Sequence, residues 1–291
     1  MSMPSNIVFR LRSLALRPAY APLARHASPS LRRGTRLPGG NGQNVVWAPM
    51  GVLEMVLVAM VVLTGAATQR VSGMGFGLVS APLLVLIMGP FLGILLTNTL
   101  GLTTSLIVLT QVWRQVELRK LALLAPPALL AIIPGAWVAL NVPSAPLAIV
   151  VGSMTFSALL GMLLSERLRV FHGTTGAVAA GALSGFMSVT AGAGGPAITL
   201  YALSTRWKHR SFVGTAQLCF AIITAASLTA KGGPPDLPAA TWALTLGALL
   251  MGVLLGGRVA RYIPATLARA LMVGLALTGS LTTVAKGIID L

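Results

Sequence analysis

Charge is what this chain most lacks. Only 9% of its 291 residues are Asp, Glu, Lys or Arg, and just five are acidic. A soluble domain of this length carries roughly 25% charged residues to cover its surface, so a water-exposed globular fold is excluded. Cysteine occurs once, at Cys219 within TAQLCFAII. That rules out an intrachain disulfide and a cysteine metal cluster and leaves a small apolar packing residue. The three histidines, His26, His172 and His209, all lie outside the apolar runs. A Ser–His intramembrane protease and a histidine metal site therefore lack their essential groups. No GxxxxGK[ST] phosphate loop is present, so any pumping must draw on a gradient or a separate ATPase. No cofactor is expected.

What is abundant is apolar surface. Hydrophobic residues make up 55% of the chain and the mean hydropathy is +0.86. Apolar runs of about 20 residues recur, enough to cross a hydrocarbon layer of roughly 30 Å. In lipid each backbone polar group must be satisfied within its own segment, so these runs are helices. They lack the apolar–polar alternation of a membrane β-barrel. The expected fold is an all-α polytopic membrane protein, with the lipid bilayer as its main partner.

Residues 1–44 are set apart from that fold. They hold seven of the 21 basic residues, no acid, and a Gly-rich end, PGGNGQN. The composition resembles an organelle transit peptide, but a disordered tail or an extension upstream of a start near Met50 is the preferred reading. From Val45 on, ten hydrophobic segments are read: 45–69, 74–89, 91–113, 121–140, 146–165, 173–190, 193–205, 211–230, 239–260 and 265–288. Segments 74–89 and 193–205 would form only about 24 and 20 Å of helix at 1.5 Å per residue, too little to span comfortably.

The net charge of +16 does not point to nucleic acid, because the basic residues beyond the tail sit between apolar runs. With residue 45 outside, Arg70, Arg114, Arg119, Lys120, Arg167, Arg169, Arg206, Lys208, Arg210, Arg258, Arg261 and Arg269 fall inside, against Lys231 and Lys286 outside. Positive charge marks the cytoplasmic face, so that orientation is expected, in the cell membrane. Trp47, Trp113, Trp137, Trp207 and Trp242 lie near segment ends and read as interfacial anchors. Glu54, near the outer end of the first segment, reads as an interfacial acid, with a proton relay as the alternative.

The two halves resemble each other. SGMGFG at 72–77 matches AGAGGP at 191–196, and Thr97-Asn98 matches Ala216-Gln217 at the same offset of 119. Pro134–Ala139 matches Leu255–Ala260, and Val142-Pro143 matches Ile263-Pro264, at 121. Five segments per half is an odd number, so the second half is upside down: repeat 1 is 45–168 and repeat 2 is 169–291. Inverted repeats of this kind are a hallmark of secondary transporters.

The glycine clusters carry the chemistry. Each opens a short segment, as expected where a helix is broken or re-entrant, and a break exposes unpaired N–H groups with partial positive charge. Without Cβ atoms the backbone lets an anion come close. Gly73, Gly75, Phe76, Gly77, Gly192, Gly194 and Gly195, with the mid-segment amides Asn98 and Gln217, are therefore the expected substrate-binding set. Ser72, Ser80, Thr97, Ser188, Thr190 and Thr215 are further hydroxyl donors. The competing reading is close helix packing and interhelical hydrogen bonding. It is the reading given to Gly152, Gly161, Gly176, Gly181, Gly247 and Gly252.

At these residues the sequence resembles the sulfite exporter TauE/SafE family. A Gly-rich stretch precedes a Pro-Leu-Leu-type run in each half, here SGMGFGLVSAPLL at 72–84 and AGAGGPAITLYAL at 191–203. The resemblance covers about residues 50–288, and Phe76 departs from the family's usual glycine triplet. It implies transport of sulfite, sulfur-containing organic acids or similar small anions; separately, no enzymatic activity is expected. A non-transporting scaffold and an intramembrane enzyme are the alternatives; the enzyme would need a base that the segments do not hold. A homo-oligomer is left open.

Overall fold

The computed structural model describes residues 51–72, 76–164, 171–259 and 265–291; side chains at 71, 72, 259, 265–269 and 271 are outside the description. The whole of 1–44 lies outside it, as do Gly73, Gly75, Trp47, Arg167, Arg169 and the side chains of Arg261 and Arg269. Ten α-helices are described, one for each expected hydrophobic segment. They are α1 (Val52–Ser72), α2 (Phe76–Met88), α3 (Pro90–Val112), α4 (Leu118–Asn141), α5 (Ser144–Leu164), α6 (Gly173–Ala191), α7 (Gly195–Ser204), α8 (His209–Ala230), α9 (Ala239–Val259) and α10 (Ala265–Ile289). A 3₁₀ turn, Trp113–Gln115, follows α3, and there is no strand among the described residues. Among the described residues, seven helices are long and apolar enough to cross a membrane. At 13 and 10 residues, α2 and α7 are the short ones, as expected.

Glycine decides how closely the helices approach. A Cβ on Gly181 or Gly185 of α6 would overlap the carbonyl oxygens of Leu124 and Ala128 on α4. A Cβ on Gly252 of α9 would overlap the carbonyl of Leu63 on α1, and one on Gly256 would sit 2.8 Å from Ala67 Cα. Gly152 plays the same part where α5 meets α10, since a Cβ there would sit 2.7 Å from Ser280 O. These are the small-residue interfaces that replace the hydrophobic effect in lipid. Two expected packing glycines behave otherwise. Gly161 meets only Leu200 at ordinary contact distance, and Gly247 faces open space. Gly247 lies on the outer side of α9 beside exposed Leu246 and Leu250, so it packs against nothing.

The helix neighbours follow a rule. If α1–α5 are exchanged with α6–α10, α1 against α9 becomes α6 against α4, and both are major interfaces. The α1–α2 contact becomes α6–α7, and α2–α10 becomes α7–α5, which are also observed. The α5–α10 and α3–α8 contacts map onto themselves. Between α2 and α3 the chain reverses at Gly89, whose φ of +81° suits glycine, and Pro90 starts α3 where a helix has no use for an N–H. Glu54 receives a 3.2 Å hydrogen bond from Gly51 N–H, so it caps the start of α1.

Candidate functional site

The break between α6 and α7 is a capped helix end followed by an uncapped helix start. Gly192 closes α6 in the left-handed conformation, φ +67°, which costs a residue with a Cβ roughly 1–2 kcal/mol. Its N–H donates to Ser188 O at 3.1 Å, the bond of an αL helix end, and Ala193 N–H donates to Met187 O at 3.4 Å. α7 then begins at Gly195-Pro196 with no side-chain cap. The N–H groups of Gly194 and Gly195 precede its first intrahelical bond, so the helix itself gives them no acceptor.

The corresponding part of the first half sits against it. Gly77, in the first turn of α2, is so close to Gly192 that a Cβ would overlap the Gly192 carbonyl oxygen. Asn98 on α3 reaches across as well, its Nδ2 donating to Ser188 O at 3.2 Å. The two glycine clusters, far apart in sequence, are thus in backbone contact.

A cavity of about 50 Å³ lies at this junction. A single water needs about 10–15 Å³ by the same measure, so the space suits a few waters or one small oxyanion. Of the expected set, Phe76, Gly77, Asn98, Gly192, Gly194 and Gly195 line it. Gln217, fully buried in α8, does not. Gly73 and Gly75 lie outside the described residues. Thr97 and Ser188 line the cavity; Ser80, Thr190 and Thr215 do not. Gly194 carries a second duty, since a Cβ there would sit 2.6 Å from Ser184 O, and Ser184 Oγ donates to Gly194 O at 2.8 Å.

Sequence reasoning missed Gln69, Gly101, Ser105, Phe220 and Thr224, which also line the cavity. The repeat offset relates them once the structure has placed them in the cavity. Gln69 and Ser188, Phe76 and Gly195, Gly101 and Phe220, and Ser105 and Thr224 are each 119 residues apart, and all eight are lining residues. The departure at Phe76 acquires a reason. Its ring packs 3.6 Å from where a Gly101 Cβ would be. In the other half the bulk is on α8, at Phe220, and the glycine is on the broken helix, at Gly195. One aromatic and one glycine fill each side, in swapped places.

Away from the cavity, Trp207, expected as an interfacial anchor, packs inside the protein. It is buried, it donates from Nε1 to Glu117 Oε1 at 3.0 Å, and Lys120 Nζ lies 4.0 Å from its ring centroid. Burial alone would raise the Glu117 carboxyl; hydrogen bonds from Trp207, Ser211 and Lys120 outweigh it and hold the group below its ordinary value. Lys231, expected in an outer loop, is also buried, with Nζ donating to Val189 O at 3.2 Å near the end of α6.

A bundle of membrane-length helices with two short helices meeting at a cavity is the architecture of a polytopic membrane protein. The family model for the sulfite exporter TauE/SafE family matches residues 57–282, and the chain belongs to that family of membrane exporters. Comparison with curated proteins and with solved structures yields no match.

Proposed function

We propose that this protein is a secondary transporter of small anions, with sulfite or a related organosulfur or organic anion as cargo, and that it is not an enzyme. The observation that carries the reading is the composition of the cavity. Matched residues of the two halves contribute to it in pairs at one offset, as they would if the halves were inverted repeats, 45–168 and 169–291, meeting on a pseudo-two-fold axis. The exchange rule among helix contacts supports the same reading. At such an axis, rocking one half against the other exposes the cavity to each side in turn.

The donors suit an anion. Gly194 and Gly195 N–H groups and the helix dipole of α7 supply partial positive charge, and the Asn98 amide adds a second proton to that already given to Ser188. The segment ends rich in Arg and Lys face the cytoplasm, in the cell membrane. The test is uptake and efflux of radiolabelled sulfite and candidate sulfonates in proteoliposomes, with and without a pH gradient. Transport of labelled anion above that of empty vesicles is the expected result; none for any anion in either direction would leave the scaffold reading in its place.

A further inference from the structure

At the break, the end of α6 and the start of α7 carry opposite partial charge. A helix start presents roughly half a positive charge and a helix end roughly half a negative one. Both line the cavity, α7 through Gly194 and Gly195 and α6 through Ser188 and Gly192. An anion held there is attracted by one end and repelled by the other. None of the lining residues carries a charge that would tip the balance.

Lys231 supplies a charge at the α6 end. It follows the last residue of α8, the helix that brings Phe220 and Thr224 to the cavity, and it is only 3% exposed. Met187 O and Ser188 O take the N–H groups of Ala193 and Gly192. Val189 O, the next carbonyl, takes the Lys231 ammonium at 3.2 Å. The one ion pair among the described residues is Lys120–Glu117, so no carboxylate balances Lys231. A buried ammonium without a counter-ion is costly, and a neutral donor would serve Val189 O at less cost. We propose that Lys231 is a positioning residue for transport, whose charge cancels the negative end of α6 and leaves the break net positive for an anion. The inference rests on the anion-transport reading and adds the charge that the cavity lining lacks. Lys231 need not touch the anion, because a charge in a poorly polarisable interior is felt beyond contact distance.

The test separates the charge from the hydrogen bond. Lys231→Met removes both, whereas Lys231→Gln offers Val189 O a donor without the charge. Uptake of labelled sulfite is measured in proteoliposomes of the full chain at pH 6, below the value of about 7 to which burial brings the ammonium. Both variants should raise KM by roughly three- to thirtyfold, the range of charge effects at a partly buried helix end. Melts in detergent identify any variant that does not fold. A KM raised less than about threefold in either folded variant overturns the inference, and a wild-type KM in Lys231→Gln alone shows that the hydrogen bond is what matters. If neither variant folds, Lys231 is a structural cap and the inference fails. Absence of sulfite transport by wild type would overturn the anion-transport reading itself; wild-type transport with unchanged KM in the variants would overturn only the role given to Lys231.

Discussion

Gly77 and Gly247 place opposite demands on a side chain. At Gly77 the missing Cβ is occupied by the Gly192 carbonyl oxygen, a backbone atom that cannot swing aside. Gly77→Ala should therefore destabilise by about 1–3 kcal/mol, the usual cost of overpacking, and should abolish transport by parting the two breaks. Gly247→Leu adds an apolar side chain to a face already covered with exposed leucine, and should leave melting and transport unchanged. Thermal melts in detergent beside sulfite uptake check both; normal uptake by Gly77→Ala would remove the junction from the mechanism. Gly194→Leu is a poor probe of anion approach, because its side chain would first strike Ser184 on α6. Asn98 was legible in the sequence as an out-of-place amide. Gln69 was not, because beside Arg70 an amide reads as an ordinary segment end.

Two polar contacts tie elements together, one at each end of α8. Near its start, Glu117 at the head of α4 accepts from Trp207 in the loop before α8. Trp207→Phe keeps an aromatic ring against Tyr201 and Phe212 but loses the donor and the larger indole face under Lys120, so we expect a loss of about 1–3 kcal/mol, read as a lower melting temperature. A melt unchanged by Trp207→Phe would show that the bond contributes nothing. Just past the other end of α8, burial pushes the Lys231 ammonium down to about 7 from its ordinary value of 10.5. Between those values the unfolded chain binds a proton that the folded chain does not, so the Lys231 contribution makes stability rise with pH. The difference in melting temperature between pH 7 and pH 9 should be smaller in Lys231→Met than in wild type. An identical pH response in the two proteins would contradict this. Neither contact was evident from segment ends, where tryptophan and lysine ordinarily face the interface.

For the whole molecule, the division of charge predicts sidedness. Arg119 and Lys208 are exposed at segment ends assigned to the cytoplasm. In a Cys219→Ala background, single cysteines at these positions should react only with reagents that reach the cytoplasm. Labelling of Arg119→Cys in intact cells by an impermeant reagent would invert the orientation.

The class of this protein and its ten-helix layout were determined by the sequence alone, because a chain so apolar must satisfy its backbone within helices wherever it meets lipid. The short helices were legible too, since length and glycine content are local properties. What only the tertiary structure decided is which residues share the cavity. Gln69 and Ser105 of one half come together with Ser188 and Thr224 of the other, while Gln217, the sequence partner of Asn98, is not among the lining residues. Side-chain direction on a helix buried on several faces is set by its neighbours, and in lipid those neighbours are chosen by close backbone approach at glycine, which no local pattern records.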